Sequence, residues 1–143
     1  MPTDYVIDTE HRAVFTLAIG ALSILDLLDS MTRLLGDARF SPDFCHVADF
    51  RLVDITAPQL STADIRSLAA RPVFDPSARR AFIIGSGSAF GLARMYAAER
   101  DAGGESNIQT FQDLETAAAW AGIDLDAATR AFAELSDRLA PDT

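Results

Sequence analysis

Gly85-Ser86-Gly87-Ser88 stands between an apolar run, Ala81-Phe82-Ile83-Ile84, and a helix-forming stretch from Ala89 to about Arg100. Glycines at such a place let the backbone approach a ligand closely. The N–H groups that open a helix, together with its dipole, favour anions. With Gly91 the spacing becomes G-x-G-x-x-x-G, one residue off the dinucleotide-binding fingerprint. That fingerprint follows the first strand and needs an acidic partner at the end of the next strand. Here the next strand ends at Phe111-Gln112. A Gly-rich turn capped by Ser88 accounts for the same residues, and so does a site for a small anion or polar ligand.

Ser61-Thr62-Ala63-Asp64 is a capping-box pattern opening a second helix. A hydroxyl there serves as an N-cap. It is also a place where a phosphoryl group is tolerated electrostatically, so Ser61 and Thr62 are candidate phosphoacceptors. Arg51, Arg79, Arg80 and Arg94 are the basic residues nearest the strand ends and the glycine loop. Gathered around two helix N-termini, they would make an anion pocket in an acidic protein. Paired with Asp49 or Asp54, or solvated, Arg51 and Arg94 would be structural.

Other chemistry is poorly supported. Cys45 and His46 are neighbours in a buried strand and so point to opposite faces. A packed thiol and a hydrogen-bonded imidazole are expected, and His11 falls in an exposed turn. Two His and one Cys so placed predict no metal site. No G-x-S-x-G elbow is present for a Ser-His-Asp triad. Phe90, Met95, Tyr96 and Trp120 read as packing residues.

These residues need elements to hold them. Tyr5–Glu10 and Arg12–Ile19 read as two strands joined near Glu10-His11, the second almost continuously apolar over Val14–Ile19, as a strand covered on both faces would be. Ser23 with Asp26 opens a helix to about Gly36, whose apolar face carries Ile24, Leu27, Leu28, Met31, Leu34 and Leu35. Phe44–Ala48 is a third strand, ending at Asp49-Phe50-Arg51. The second helix sets Ile65, Leu68 and Ala69 inward and stops at Pro72. After the glycine loop and its helix, Asn107–Phe111 is a fifth strand. Asp113 caps a short helix through Trp120, which Gly122 closes, and a last helix runs from about Asp124 to Leu139. In that last helix Leu125, Ala128, Phe132, Leu135 and Leu139 form one seam. The seam needs cover from the sheet, the first helix or a second copy of the chain. The order ββαβαβαβαα predicts an α/β fold with a five-stranded, mixed, mostly parallel sheet and right-handed crossovers. Residues 1–143 read as one domain, with 123–140 as a helical extension.

The totals agree with one domain: 143 residues, 49% hydrophobic and 23% charged. All twelve basic residues are Arg, which reads as a compositional habit of a GC-rich bacterial source. The net charge of −9 divides unevenly, as −4 over residues 1–43, +2 over 44–98 and −7 over 99–143. An acidic surface argues against nucleic-acid binding. The N-terminus lacks the signal-peptide pattern, and no apolar run approaches the roughly 20 residues of a membrane span. A cytoplasmic location is expected.

This order resembles the SpoIIAA-like family, whose fold is shared by STAS domains and is also called SEC14-like. The residues that carry the resemblance are Gly20 with Ser23, Asp49-Phe50-Arg51, Ala81-Phe82-Ile83-Ile84, Ala89-Phe90-Gly91-Leu92-Ala93-Arg94-Met95, and Phe111 with Ala118 and Trp120. It covers roughly residues 5 to 121 and implies a domain that binds partners, nucleotides or small ligands rather than catalysing a reaction. Some relatives are phosphorylated switches with Asp-Ser-Ser-Gly where this chain has Ser61-Thr62-Ala63-Asp64, without the Gly. The expectation is a non-enzymatic binding or regulatory module for a small, anionic or lipid-like ligand or a protein partner, with no cofactor. Gly85, Ser86, Gly87, Ser88, Arg51 and Arg94 are its candidate ligand residues, and a homodimer through the last helix is a further expectation. The alternative is a nucleotide-using enzyme built on residues 85–91.

Overall fold

Alternation along the strands divides the molecule into layers. The computed structural model describes residues 3–54, 60–85, 87–104 and 107–140, with 87–90 described as helical backbone. Strands β1 (Thr3–Asp8) and β2 (Ala13–Gly20) pair antiparallel. Their connection is tight: Arg12 takes a left-handed φ of 53°, and the Asp8 carboxylate accepts the backbone N–H of His11 at 2.9 Å. Strands β3 (Cys45–Val53), β4 (Arg80–Ile83) and β5 (Ile108–Phe111) follow in parallel, giving the spatial order β1-β2-β3-β4-β5. The strand count, mixed pairing and element order are those expected from the sequence.

Helices α1 (Ile24–Leu35), α2 (Thr62–Ala69) and α3 (Gly87–Ala102) make the crossovers. Each parallel strand is added on the same side of the last. A fixed crossover hand therefore puts all three helices on one face. The other face is left to α4 (Leu114–Ala121) and α5 (Leu125–Leu139). The core divides in the same way. Phe15, Leu17, Val47 and Ile83 pack against Ala117, Ala128 and Leu135 of α4 and α5. Their strand neighbours Val14, Ala48 and Phe82 face α1, α2 and α3.

Local signals fix the helix ends. Both arms of the capping box form at Ser23 and Asp26, and again at Ser61 and Asp64. Asp113 and Asp124 cap α4 and α5, and Gly122 ends α4 with a left-handed φ of 74°.

The α5 seam is covered by the chain's own sheet from Ala128 onward, while Leu125 at its start is exposed. Ala128 and Leu135 are fully buried, and Phe132 meets Phe15 edge-on at 5.7 Å. Of the covers considered, β1 and β2 supply it, on the face opposite α1. The apolar face of α1 departs from expectation. Only Ser30 and Leu34 are buried, while Leu35 is exposed and Leu27, Leu28 and Met31 are half-buried.

Candidate functional site

The half-buried face of α1 roofs a cavity. It lies between the sheet and α1–α3, with a volume of about 200 Å³. Leu27, Ser30, Met31 and Leu34 line it from α1, Ile65 and Leu68 from α2, and Leu92 and Tyr96 from α3. A cavity of roughly 150 Å³ lined by aliphatic and aromatic groups already takes benzene. Apolar walls with a few convergent polar groups are the usual form of a small-molecule site.

Ser30 of α1 and Asp54, just past β3 and engaged in an interaction of its own, also line the cavity; the polar groups of its floor are brought together by strand register. His46 sits opposite Arg80 across β3 and β4, and Thr16 is one step along β2 on the same face. His46 Nε2 is 2.9 Å from Thr16 Oγ1. Arg80 Nε donates to His46 Nδ1 at 3.4 Å, and Arg80 also donates to the Tyr96 hydroxyl at 3.0 Å. The Arg80 guanidinium lies 4.6 Å from the centroid of the Phe74 ring, 5.3 Å from Tyr96 and 5.4 Å from Phe82. Such rings are favourable neighbours for a desolvated cation. Phe74 also stacks on His46, at 4.7 Å and 13° between planes.

This arrangement fixes the state of His46. Burial, and then the charge of Arg80, hold its pKa well below the ordinary 6.5, so the ring is neutral. Arginine can only donate, so Nδ1 must be the acceptor and Nε2 carries the proton. His46 therefore donates to Thr16. A hydroxyl beside an imidazole looks like a nucleophile and its base, but the charges are wrong for that role. In catalytic constellations the third group is an anion or neutral acceptor that supports the imidazolium. Here it is a guanidinium, which opposes it.

The residues singled out from the sequence sit elsewhere. Ser61 Oγ accepts the Asp64 N–H at 3.1 Å and the Asp64 carboxylate accepts the Ser61 N–H at 2.9 Å, with Ser61 and Thr62 both exposed. Arg51 is paired: it donates from its side chain to Asp49 at 2.8 Å and 3.1 Å. Asp113, the cap of α4, adds to the field that raises its pKa. Gly85 is close to Arg51, and a Cβ there would meet it at 3.6 Å, an ordinary contact. The helix begins at Gly87, so Ser88 lies in its first turn. Ser86 and the side chain of Ser88 lie outside the described residues. Arg94 is exposed on α3 and engaged in an interaction.

The four-arginine cluster does not form. Arg80 begins β4 and Arg79 precedes it, whereas Gly85 follows the strand's end, about 16 Å from Arg80 along an extended chain. Arg79 donates to the Trp120 carbonyl and lies 5.6 Å from that ring's centroid. Arg80 is buried in the cavity floor. Cys45 and His46 do face opposite ways, with the thiol donating to the Ala121 carbonyl at 3.4 Å on the α4 side. Among the described residues no group of three or more His, Cys, Asp or Glu could hold a metal ion, and no helix is long and apolar enough to cross a membrane.

No protein-family model matches the chain, and no curated protein does. Among solved structures the chain is similar to an uncharacterized protein from the DUF3478 family with a SpoIIAA-like fold, from Shewanella loihica PV-4. The two are 19% identical with a TM-score of 0.53, over 82% of this chain and 92% of that one. At that identity the likeness speaks to architecture. The mixed five-stranded sheet between α1–α3 and α4–α5 is a SpoIIAA-like fold, the one implied by the sequence resemblance.

Proposed function

We propose that this chain is a non-enzymatic binding module that holds a small, largely apolar ligand in the cavity between the sheet and α1–α3. The observation that carries this reading is the cavity itself: about 200 Å³, walled by aliphatic and aromatic side chains, with Thr16, His46 and Arg80 on its floor. The floor supports binding over catalysis, because the guanidinium beside His46 opposes proton uptake by its imidazole. A nucleotide-using enzyme at residues 85–91 fits less well. Open α/β sheets bind such ligands where strand order reverses. This sheet runs in unbroken sequence order, with its crossover helices on one face.

The test is a thermal-shift and calorimetry screen of the purified protein against medium-chain fatty acids, small aromatic compounds and nucleotides. A ligand at 100 times its Kd adds about 2.7 kcal/mol of stability. Stabilisation by apolar compounds, lost when the cavity is filled, is the expected result. Stabilisation by a dinucleotide alone, abolished by Gly87→Val, would replace this reading with the enzymatic one.

A further inference from the structure

We propose that the cavity selects ligands whose polar end accepts hydrogen bonds, a carboxylate or carbonyl carried on an apolar body. This rests on the cavity being the binding site. The argument follows the protons. Arg80 donates to His46 Nδ1, so His46 Nε2–H donates to a lone pair of Thr16 Oγ1. The Thr16 hydroxyl proton is then left over, and among the described residues His46 is the partner of that hydroxyl. The same logic holds at the other end of the guanidinium. Arg80 donates to the Tyr96 hydroxyl oxygen, which leaves the phenolic proton to be given elsewhere.

Thr16 and Tyr96 both line the cavity. Each oxygen already accepts a hydrogen bond, and that polarises its own O–H toward donation. The floor thus offers two hydroxyl donors, backed by a donor-only cation. A ligand that can only donate finds this surface mismatched. One that accepts, on a body filling the space between Leu34, Ile65 and Leu68, matches it.

Four probes of equal reach test the idea by calorimetry on the intact chain: octanoate, methyl hexyl ketone, octane and octylammonium. Octanoate and the ketone are expected to bind at least tenfold tighter than the other two, about 1.4 kcal/mol. The two acceptors separate an ionised headgroup from a neutral one. Thr16→Val should erase most of that margin, and Thr16→Ser should keep it. Tyr96→Phe gives an independent reading should Thr16→Val fail to fold, and the wild-type panel needs no variant. Equal binding of all four probes, or a margin untouched in both Thr16→Val and Tyr96→Phe, would overturn the inference and leave the cavity as an unselective site. Failure of all four to bind would overturn the proposed function with it.

Discussion

Ser30→Leu tests whether the space beneath α1 is real and is the binding site. Ser30 lies in the middle of the helix face that roofs the cavity, at 9% exposure, between Leu27 and Leu34. Leucine exchanges one hydroxyl for an isopropyl group, a net gain of about three buried aliphatic carbons at roughly 0.8 kcal/mol each. Ordering that side chain returns about 0.5–1 kcal/mol. Leucine is also the better helix former by a few tenths of a kcal/mol. The net is a gain of about 1–2 kcal/mol, or roughly 3–6 °C in Tm for a domain of this size. The variant should also bind octanoate at least tenfold more weakly, since the new side chain takes its place. Urea unfolding and calorimetry on the same preparation read both effects. In a closely packed interior the same change would cost about 1–3 kcal/mol by overpacking. A destabilised variant with unchanged octanoate affinity would refute the reasoning.

Three further outcomes follow from the contacts. Ser61→Ala removes the α2 N-cap and should cost about 1 kcal/mol, while Thr62→Ala, an exposed first-turn position, should stay within about 0.5 kcal/mol; urea unfolding separates the two. His46 is held neutral in the fold, below its ordinary 6.5, so the unfolded chain takes up that proton first. Its contribution is therefore constant above about pH 7 and is lost as the pH falls through 6.5, by up to about 1.4 kcal/mol per pH unit. His46→Gln should remove that part of the slope between about pH 6.5 and 5.5 in stability curves of the two proteins. Leu135→Ala opens a void where α5 meets β2 and should cost about 2–5 kcal/mol by urea unfolding, because the seam is part of this chain's own core.

Most elements are legible because their signals are local. The apolar run Val14–Ile19, broken only by Thr16, marks a strand covered twice, and helices do cover both its faces. Two capping boxes and the seam of the last helix fix three helices, since caps and periodicity depend on residues three or four apart. The site is harder to read. A cavity is missing volume, and periodicity records which face turns inward without recording how far away its partner lies. The apolar stripe of α1 thus looks like full core when much of it roofs a hollow. The polar floor depends on register between strands more than thirty residues apart, as with His46 and Arg80. A fainter signal was present. Thr16, His46 and Arg80 each alternate with residues facing α4 and α5, so all three fall on the same inward face as Val14, Ala48 and Phe82. Arg80 lies on that inward row, although its sequence position suggested a strand-end cation beside the glycine loop.

Methyl NMR during an octanoate titration tests the binding site most directly. Saturable shifts are expected at Leu27, Leu34, Ile65 and Leu68, which line the cavity, while Ala128 and Leu135 on the sheet-facing side of α5 stay still. Shifts confined to the α4–α5 face, or no shifts while the protein stays folded, would contradict a ligand site between the sheet and α1–α3.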